Sequence, residues 1–417
     1  MTRCAGLRAG LIALAVLASL PGAAQGGRPP YRSSGLCDGL PRLDLRTPAG
    51  LCVGLAADGF TFPRGLLPLD DGSLLVVDMG GWNEGKGSVW RLTRGAGRYA
   101  KRKILDRLDR AHGIARGPDG KIYIGAIGRV LRFSLADPSA SAEDVIGGRS
   151  GLPALPSSGR HPLVNFVFDR EGNLFVAVGS ASDNCELDNG GPPDARQPCA
   201  ETEGENPRGV IRKYDMRWPD GRVTGWRNYA RGLRNAIALA VHPSSGLLME
   251  GENSRDFIHR RIPAMTNDEE SPHDELNLIE EGAHYGWPYC YDDGVASPEF
   301  PAADCAPYRK PFALLPAHAA PLGMTWYSGE RYAALRGSLI LAYHGYRRHG
   351  HRIVAFPTDA RGLPAAAPID VVAGWERTKT RPLGAPVDIK AGKDGRLYFT
   401  EDRNGTVLVL GTDAARR

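Results

Sequence analysis

The chain has 417 residues, enough to bury a large core, and its 53 glycines and 32 prolines favour many turns over long helices. Its formal net charge is +5, with the basic residues scattered rather than clustered, which argues against nucleic acid as a partner.

At the N-terminus, Arg3 and Arg8 precede the apolar run LIALAVLASL, followed by PGAAQG. The run is too short to span a bilayer, and the small residues suit a signal-peptidase cut near Ala24. The sequence therefore predicts a signal peptide over residues 1–24, and a periplasmic or secreted chain with no later segment apolar enough to cross a membrane. Losing Arg3 and Arg8 would take the charge to +3. Six cysteines then remain: Cys37, Cys52, Cys185, Cys199, Cys290 and Cys305. An even count in an exported chain reads as disulfides, and proximity along the chain suggests the pairs Cys37–Cys52, Cys185–Cys199 and Cys290–Cys305. No CxxC pair occurs, so a metal-thiolate site is the weaker reading. No CxxCH occurs either, so the chain carries no c-type haem attachment motif.

From Phe62 onward one pattern recurs: an apolar stretch, a turn with Asp or Gly, then a strand that alternates or runs apolar. The units are FPRGLLPLDDGSLLVVDMGG, AHGIARGPDGKIYIGAIG, HPLVNFVFDREGNLFVAVGS, RNAIALAVHPSSGLLMEGENS, APLGMTWYSGERYAALRGSLILAYHG and APVDIKAGKDGRLYFTED. Their DG, EG and SG pairs supply the positive φ of tight hairpins. Six such units predict an all-β fold, a six-bladed β-propeller of four-stranded blades over residues 62–417. Residues 25–61 form an N-terminal segment, and a strand from residues 43–54 would join the last unit and close the ring. A pair of β-sandwiches is the alternative, but sandwiches lack this internal repetition.

In a propeller, residues flanking the inner strands of different blades meet at the mouth of one channel. His161 opens the third unit, Arg234 and Asn235 open the fourth, Asn253, Ser254 and Arg255 close its second strand, and His344 follows LILAY of the fifth. A neutral histidine there suits a general base, and an arginine beside it suits a developing oxyanion or a bound carboxylate. From the residues alone this defines a polar pocket.

The stretches GLRNAIALAVHPSSG, GENSRD and DELNLIEEGAHYGWPYC resemble soluble dehydrogenases that use pyrroloquinoline quinone (PQQ). VAVGSASDNCELD, HAAPLGMTWYSG and LAYHGYRRHGHRIVAF bring the resemblance closer to the sorbosone dehydrogenase-like group than to the glucose/aldose sugar dehydrogenases. The resemblance runs from about Phe62 to Leu410. It implies a six-bladed propeller, PQQ with a Ca²⁺ ion as cofactors, and hydride transfer from a sugar or sugar aldehyde to the quinone. Electrons would pass to an external acceptor such as a small cytochrome. It implies His161 as the base, with Arg234 and Asn235 at the quinone oxygen. The backbone carbonyls of Ser254 and Arg255 would lie on the Ca²⁺, and His344 on the cofactor. The chain departs from the pattern at Pro162-Leu163-Val164, where the aldose enzymes have glycines. It departs again at Ala385, where the sorbosone-like group has an arginine that Arg377 or Arg381 would have to replace. A Ca²⁺-dependent lactonase on the same fold and a binding propeller that has lost its cofactor are the competing readings. In the DELN segment, Asp274, Glu275 and Asn277 are expected to cap backbone amides or bind an ion. Tyr285, Trp287 and Tyr289 are expected to pack the loop.

Overall fold

A computed structural model of the chain describes residues 31, 33–187, 189–375 and 384–413. The expected signal peptide over residues 1–24, and both Arg377 and Arg381, lie outside these residues. The described chain is almost entirely antiparallel sheet, arranged as six blades in a ring. Blade one comprises Pro63–Pro68, Leu74–Asp78, Gly87–Arg94 and Tyr99–Leu108; blade two, Ile114–Arg116, Ile122–Ala126, Arg129–Phe133 and Glu143–Ile146. Blade three comprises Phe166–Phe168, Leu174–Val178, Val210–Arg217 and Arg222–Arg231; blade four, Ala238–Val241, Leu248–Glu252, Asp274–Leu278 and Ala313–Leu315. Blade five comprises Pro321–Tyr327, Ser338–Tyr343, Arg352–Pro357 and Ile369–Val372.

Blade six differs from the four-stranded expectation. Pro386–Ala391, Leu397–Glu401 and Thr406–Thr412 come from the C-terminal end, and Leu51–Ala57 pairs with the last of them. Leu40–Leu43 and Ser33–Cys37 then extend the sheet to six strands. The strand that joins the two ends of the chain is thus Leu51–Ala57, displaced toward the C-terminal side of the expected 43–54. A six-stranded sheet follows because Leu40 and Leu43 are buried and give the extra hairpin an apolar side.

The second strand of each blade is buried on both faces, which is why most of these strands read as near-continuous apolar runs; blade four, with Glu250 and Glu252, departs from this. Alternate residues serve opposite neighbours. Leu74 and Val76 pack toward blade six, with Tyr398, Val407 and Val409, whereas Leu75 and Val77 pack toward blade two, with Ile122 and Ile124. Leu174 and Val176 face blade two, and Phe175 and Ala177 face blade four. Leu339 and Leu341 face blade four, and Ile340 and Ala342 face blade six. One apolar cluster therefore lies between each pair of adjacent blades, and six of them close a circle.

Near the axis there is little room. A Cβ on Gly65 of blade one would sit 2.3 Å from the His112 carbonyl oxygen, and one on Gly323 of blade five 2.5 Å from that of Val387. Only glycine lets neighbouring inner strands approach this closely. Three disulfides join Cys37 to Cys52, Cys185 to Cys199 and Cys290 to Cys305, the pairs expected from proximity. Among the described residues, no helix is long and apolar enough to cross a membrane.

Candidate active site

Within a blade the first two strands run antiparallel, so the start of the first lies beside the end of the second, as in the pairing of Pro321 with Tyr343. Segments entering first strands and leaving second strands therefore gather at one end of the ring. There a cavity of about 240 Å³ is lined by His161, Arg234, Asn235, Asn253, Ser254, Asp256, Asp274, His318, Ala320 and residues 344–347. Six of the seven residues picked out in the sequence, His161, Arg234, Asn235, Asn253, Ser254 and His344, meet on its wall. The Arg255 side chain does not. It turns into the interior, where it pairs with Glu299, and it lines a separate small cavity behind the first. The expectation for Arg255 concerned its backbone carbonyl.

His161 is fixed by a chain of hydrogen bonds. Its Nδ1 lies 2.8 Å from Ser180 Oγ, and Ser180 Oγ donates to the Ser182 carbonyl at 2.7 Å. The hydroxyl has one proton, which is committed to Ser182, so Ser180 can only accept from His161. His161 is therefore the Nδ1–H tautomer, and Nε2 carries the lone pair. Burial, and next the Arg234 guanidinium, push its pKa well below the ordinary histidine value. Both effects favour the neutral ring. Arg234 is itself buried. Its Nε donates to Asp183 Oδ1 at 2.9 Å, and its Nη1 to the Asn253 carbonyl at 2.7 Å. Nη2 is also bonded to Asp183 and stands 3.6 Å from Asp256, and the remaining N–H on each Nη makes no hydrogen bond among the described residues.

Asp274 ties the opposite wall together. Its Oδ1 accepts from the Ser254 amide at 2.9 Å, and its Oδ2 accepts from the Ala320 amide. Capping is thus what this residue does here. His318 and Ala320 adopt φ of 54° and 50°, a left-handed conformation uncommon for such residues that the surrounding bonds must hold. Behind the wall, Glu252 pairs in register with Glu275, and Glu250 with Asn277. Burial raises all three glutamate carboxyls, that of Glu252 to about 7. Glu252 Oε1 accepts from the Asn235 amide at 3.0 Å, so this layer positions Asn235. Among the described residues, no group of three or more His, Cys, Asp or Glu side chains is arranged to hold a metal.

The sequence profile of the glucose/sorbosone dehydrogenases matches residues 126–409. The chain belongs to the glucose/sorbosone dehydrogenase family. It is similar to a pyrroloquinoline quinone-dependent sugar dehydrogenase of Hypocrea jecorina, 24% identical over 414 residues that cover 86% of this chain and 87% of that protein. It is 30% identical over 183 residues to an uncharacterised protein of Borreliella burgdorferi, covering 42% of this chain and 45% of the other. A pyrroloquinoline quinone-dependent pyranose dehydrogenase of Coprinopsis cinerea is 23% identical over 89% of this chain and 55% of that protein. The chain thus spans about half the length of the latter two. Among solved structures, the calcium structure of the Trichoderma reesei family AA12 enzyme superposes with a TM-score of 0.70 at 20% identity, covering 94% of this chain and 100% of that one. The PQQ-bound aldose sugar dehydrogenase of Streptomyces coelicolor gives 0.56 at 18% identity, covering 88% and 100%. At these identities the structures share the fold.

In this member of the glucose/sorbosone dehydrogenase family, several residues on or behind the cavity wall were not singled out in the sequence. His344 Nε2 lies 3.1 Å from both oxygens of Asp402, and Arg64 Nη1 lies 3.1 Å from the second of them. Burial pushes the Asp402 carboxyl up, but His344 and Arg64 outweigh it and hold the pKa below its ordinary value. His344 therefore donates through Nε2, leaving Nδ1 uncommitted. Arg347 is anchored by Asp268 at 2.7 Å, and Tyr346, 51% exposed, stands with its ring 4.9 Å from that of His344. Ser180, Asp402 and Arg347 all follow second strands, as His344 does. That shared position was the available signal. Ala385 is buried, and its amide donates to Glu401.

Proposed function

We propose that the chain is a PQQ- and Ca²⁺-dependent dehydrogenase that oxidises a sugar or a sugar aldehyde and passes the electrons to an external acceptor such as a small cytochrome. The observation that carries this reading is the fixed tautomer of His161, with basic Nε2, on the same cavity wall as the uncommitted N–H groups of Arg234. The donor set suits the cofactor. A tricarboxylate quinone needs cations and N–H donors, which Arg234, Arg347 and Asn235 offer, with His344 beside them on the wall. A hard cation needs oxygen donors; the carbonyls of Ser254 and Arg255 would supply them, with the Asp256 carboxylate nearby on the cavity wall.

When bound, PQQ supplies the acceptor for the substrate's hydride. The chain's own residues do the rest. His161 Nε2 takes the proton of the hydroxyl being oxidised, whether on the sugar or on a hydrated aldehyde. Ser180 keeps Nδ1 protonated while this happens. Arg234 and Asn235 place N–H donors where negative charge gathers, in a site whose burial strengthens them. Oxidising conditions suit the three disulfides, so we place the enzyme in the periplasm or outside the cell.

The lactonase reading asks for carboxylates free to converge on a metal. Both oxygens of Asp274 are instead occupied by backbone amides. The deciding experiment adds PQQ and Ca²⁺ to purified protein, with a dye acceptor and a panel of aldoses and ketoaldehydes. We expect a bound-quinone absorbance band, a rise in Tm and sugar-dependent dye reduction. No band and no thermal shift would refute the cofactor. A band without turnover on any sugar or aldehyde would refute the dehydrogenase.

A further inference from the structure

A second, larger cleft of about 1010 Å³ opens beside His161, between residues 158–160, the 181–187 turn and the segment that follows, through Cys199 of the Cys185–Cys199 disulfide to Glu201. Arg160 lies on the side of the cleft toward the first cavity. This residue lines the cleft, directly precedes His161, and brings its guanidinium to 3.9 Å from Asp256, which lines the cavity.

The charged groups of the cleft are not equally committed. Asp183 Oδ1 accepts from Arg234 and from the Asp256 amide. Glu186 accepts from the amides of Asp183 and Asn184 at 2.8 Å each. Glu201 accepts from the amides of Ala181 and Ser182 and from the Ser182 hydroxyl, and Asp194 is held by Arg196. Arg160 differs. Its side chain is 44% exposed, and its guanidinium makes no hydrogen bond among the described residues. The nearest carboxylate oxygens stand 3.8 Å and 3.9 Å away. The nearer one, Asp183 Oδ1, already has its donors. The other belongs to Asp256, which is shared with Arg234, His318 and Arg347. A planar fork of uncommitted N–H donors in a polar cleft matches a carboxylate bidentately.

We propose that the substrate is an acidic saccharide, a uronate or a chain carrying one, whose carboxylate pairs with Arg160 while the hydroxyl to be oxidised lies at His161 Nε2. The proposal rests on the dehydrogenase reading above. The cleft lies at the upper end of the roughly 300–1,000 Å³ common for small-molecule sites, leaving room for substituents beyond the ring that reacts.

The test compares neutral and acidic partners on the PQQ- and Ca²⁺-loaded enzyme: galactose against galacturonate, and glucose against glucuronate. It reads kcat/KM with a dye acceptor, galacturonate binding by calorimetry, and PQQ affinity by absorbance. The wild type should favour the uronates by about tenfold or more, and added salt should weaken that preference. Arg160→Gln should lower the uronate-to-neutral ratio roughly ten- to a hundredfold, and Arg160→Lys should keep part of it. Equal handling of both partners by the wild type, or an unchanged ratio in Arg160→Gln, overturns the proposal. So does a loss of PQQ affinity in Arg160→Gln with the ratio unchanged, which would assign the guanidinium to the cofactor. If no sugar is turned over, the dehydrogenase reading fails on its own. Calorimetry then decides this one: galacturonate binding lost in Arg160→Gln supports it, and no binding overturns it.

Discussion

The hydroxyl of Ser180 has a single proton, which goes to the carbonyl of Ser182. That arrangement leaves the His161 lone pair on Nε2 rather than on Nδ1, where the proposed base needs it. Ser180 touches no substrate in this scheme, so it is a positioning residue. Ser182 is held in turn by Glu201, two positions beyond the disulfide at Cys199. Because the His161 pKa is depressed, its neutral form persists into mild acid, and the acid limb of kcat/KM is expected below pH 6.5. His161→Ala should lower turnover roughly 10²–10⁴-fold with PQQ still bound. Ser180→Ala should lower kcat about tenfold or more without weakening PQQ. In Ser180→Asp, a carboxylate accepting from Nδ1 should move the acid limb to higher pH. Steady-state kinetics across pH, with parallel PQQ titrations, check all three. An unmoved limb in Ser180→Asp would mean that Ser180 only packs. His161 was legible in the sequence because a histidine opening a repeat unit stands out. Ser180 was not, since a serine after a strand looks like an ordinary cap and its partner lies 19 positions back.

At the scale of single elements, the DELN strand does two jobs with alternate side chains. Asp274 reaches sideways to the amides of Ser254 in blade four and Ala320 at the entry to blade five. Leu276 packs into the apolar layer between those blades. Removing the carboxylate would leave two amide donors without an acceptor, at about 1–3 kcal/mol each where they are buried. Asparagine can accept from only one of them. Urea denaturation should therefore rank stability as wild type, Asp274→Asn, Asp274→Ala. Ca²⁺ affinity should fall in the same order, because both loops of the cavity wall loosen. Equal stability of all three would show that solvent replaces the carboxylate. The polar character of this segment was visible in the sequence. Its strand conformation was obscured by the glycines at 282 and 286, which belong to the turns that follow.

For the molecule as a whole, the near-continuous apolar run of most second strands announced burial on both faces, and six repeated units announced the ring. The six-stranded last blade was not legible, because a short hairpin near the N-terminus carries no repeat signal. Nor does the sequence reveal what meets at the axis. His112 is buried, with neither ring nitrogen hydrogen-bonded among the described residues. Burial, and then Arg64 beside it, lower its pKa to about 3. The unfolded chain takes up this proton near pH 6.5, and the folded chain only near 3. Between those values the unfolded state binds more protons, so stability is lost as pH falls, by about 1.4 kcal/mol per unit from this group. His112→Leu removes the titration. Relative to wild type it should gain about 2 kcal/mol between pH 8 and pH 5 in denaturant titrations. A difference that does not vary with pH would show that the folded protein binds this proton as readily as the unfolded chain.

The three disulfides have a consequence for how the chain matures. Each joins a cysteine to the next one along the sequence, 14 or 15 positions later. A polypeptide threading N-terminus first into an oxidising compartment presents its thiols in that same order. An oxidant that links each arriving thiol to the one before it makes every correct bond at the first attempt. For a chain exported as proposed, with Cys4 removed in the signal peptide, maturation would ask for a thiol oxidase and no reshuffling enzyme.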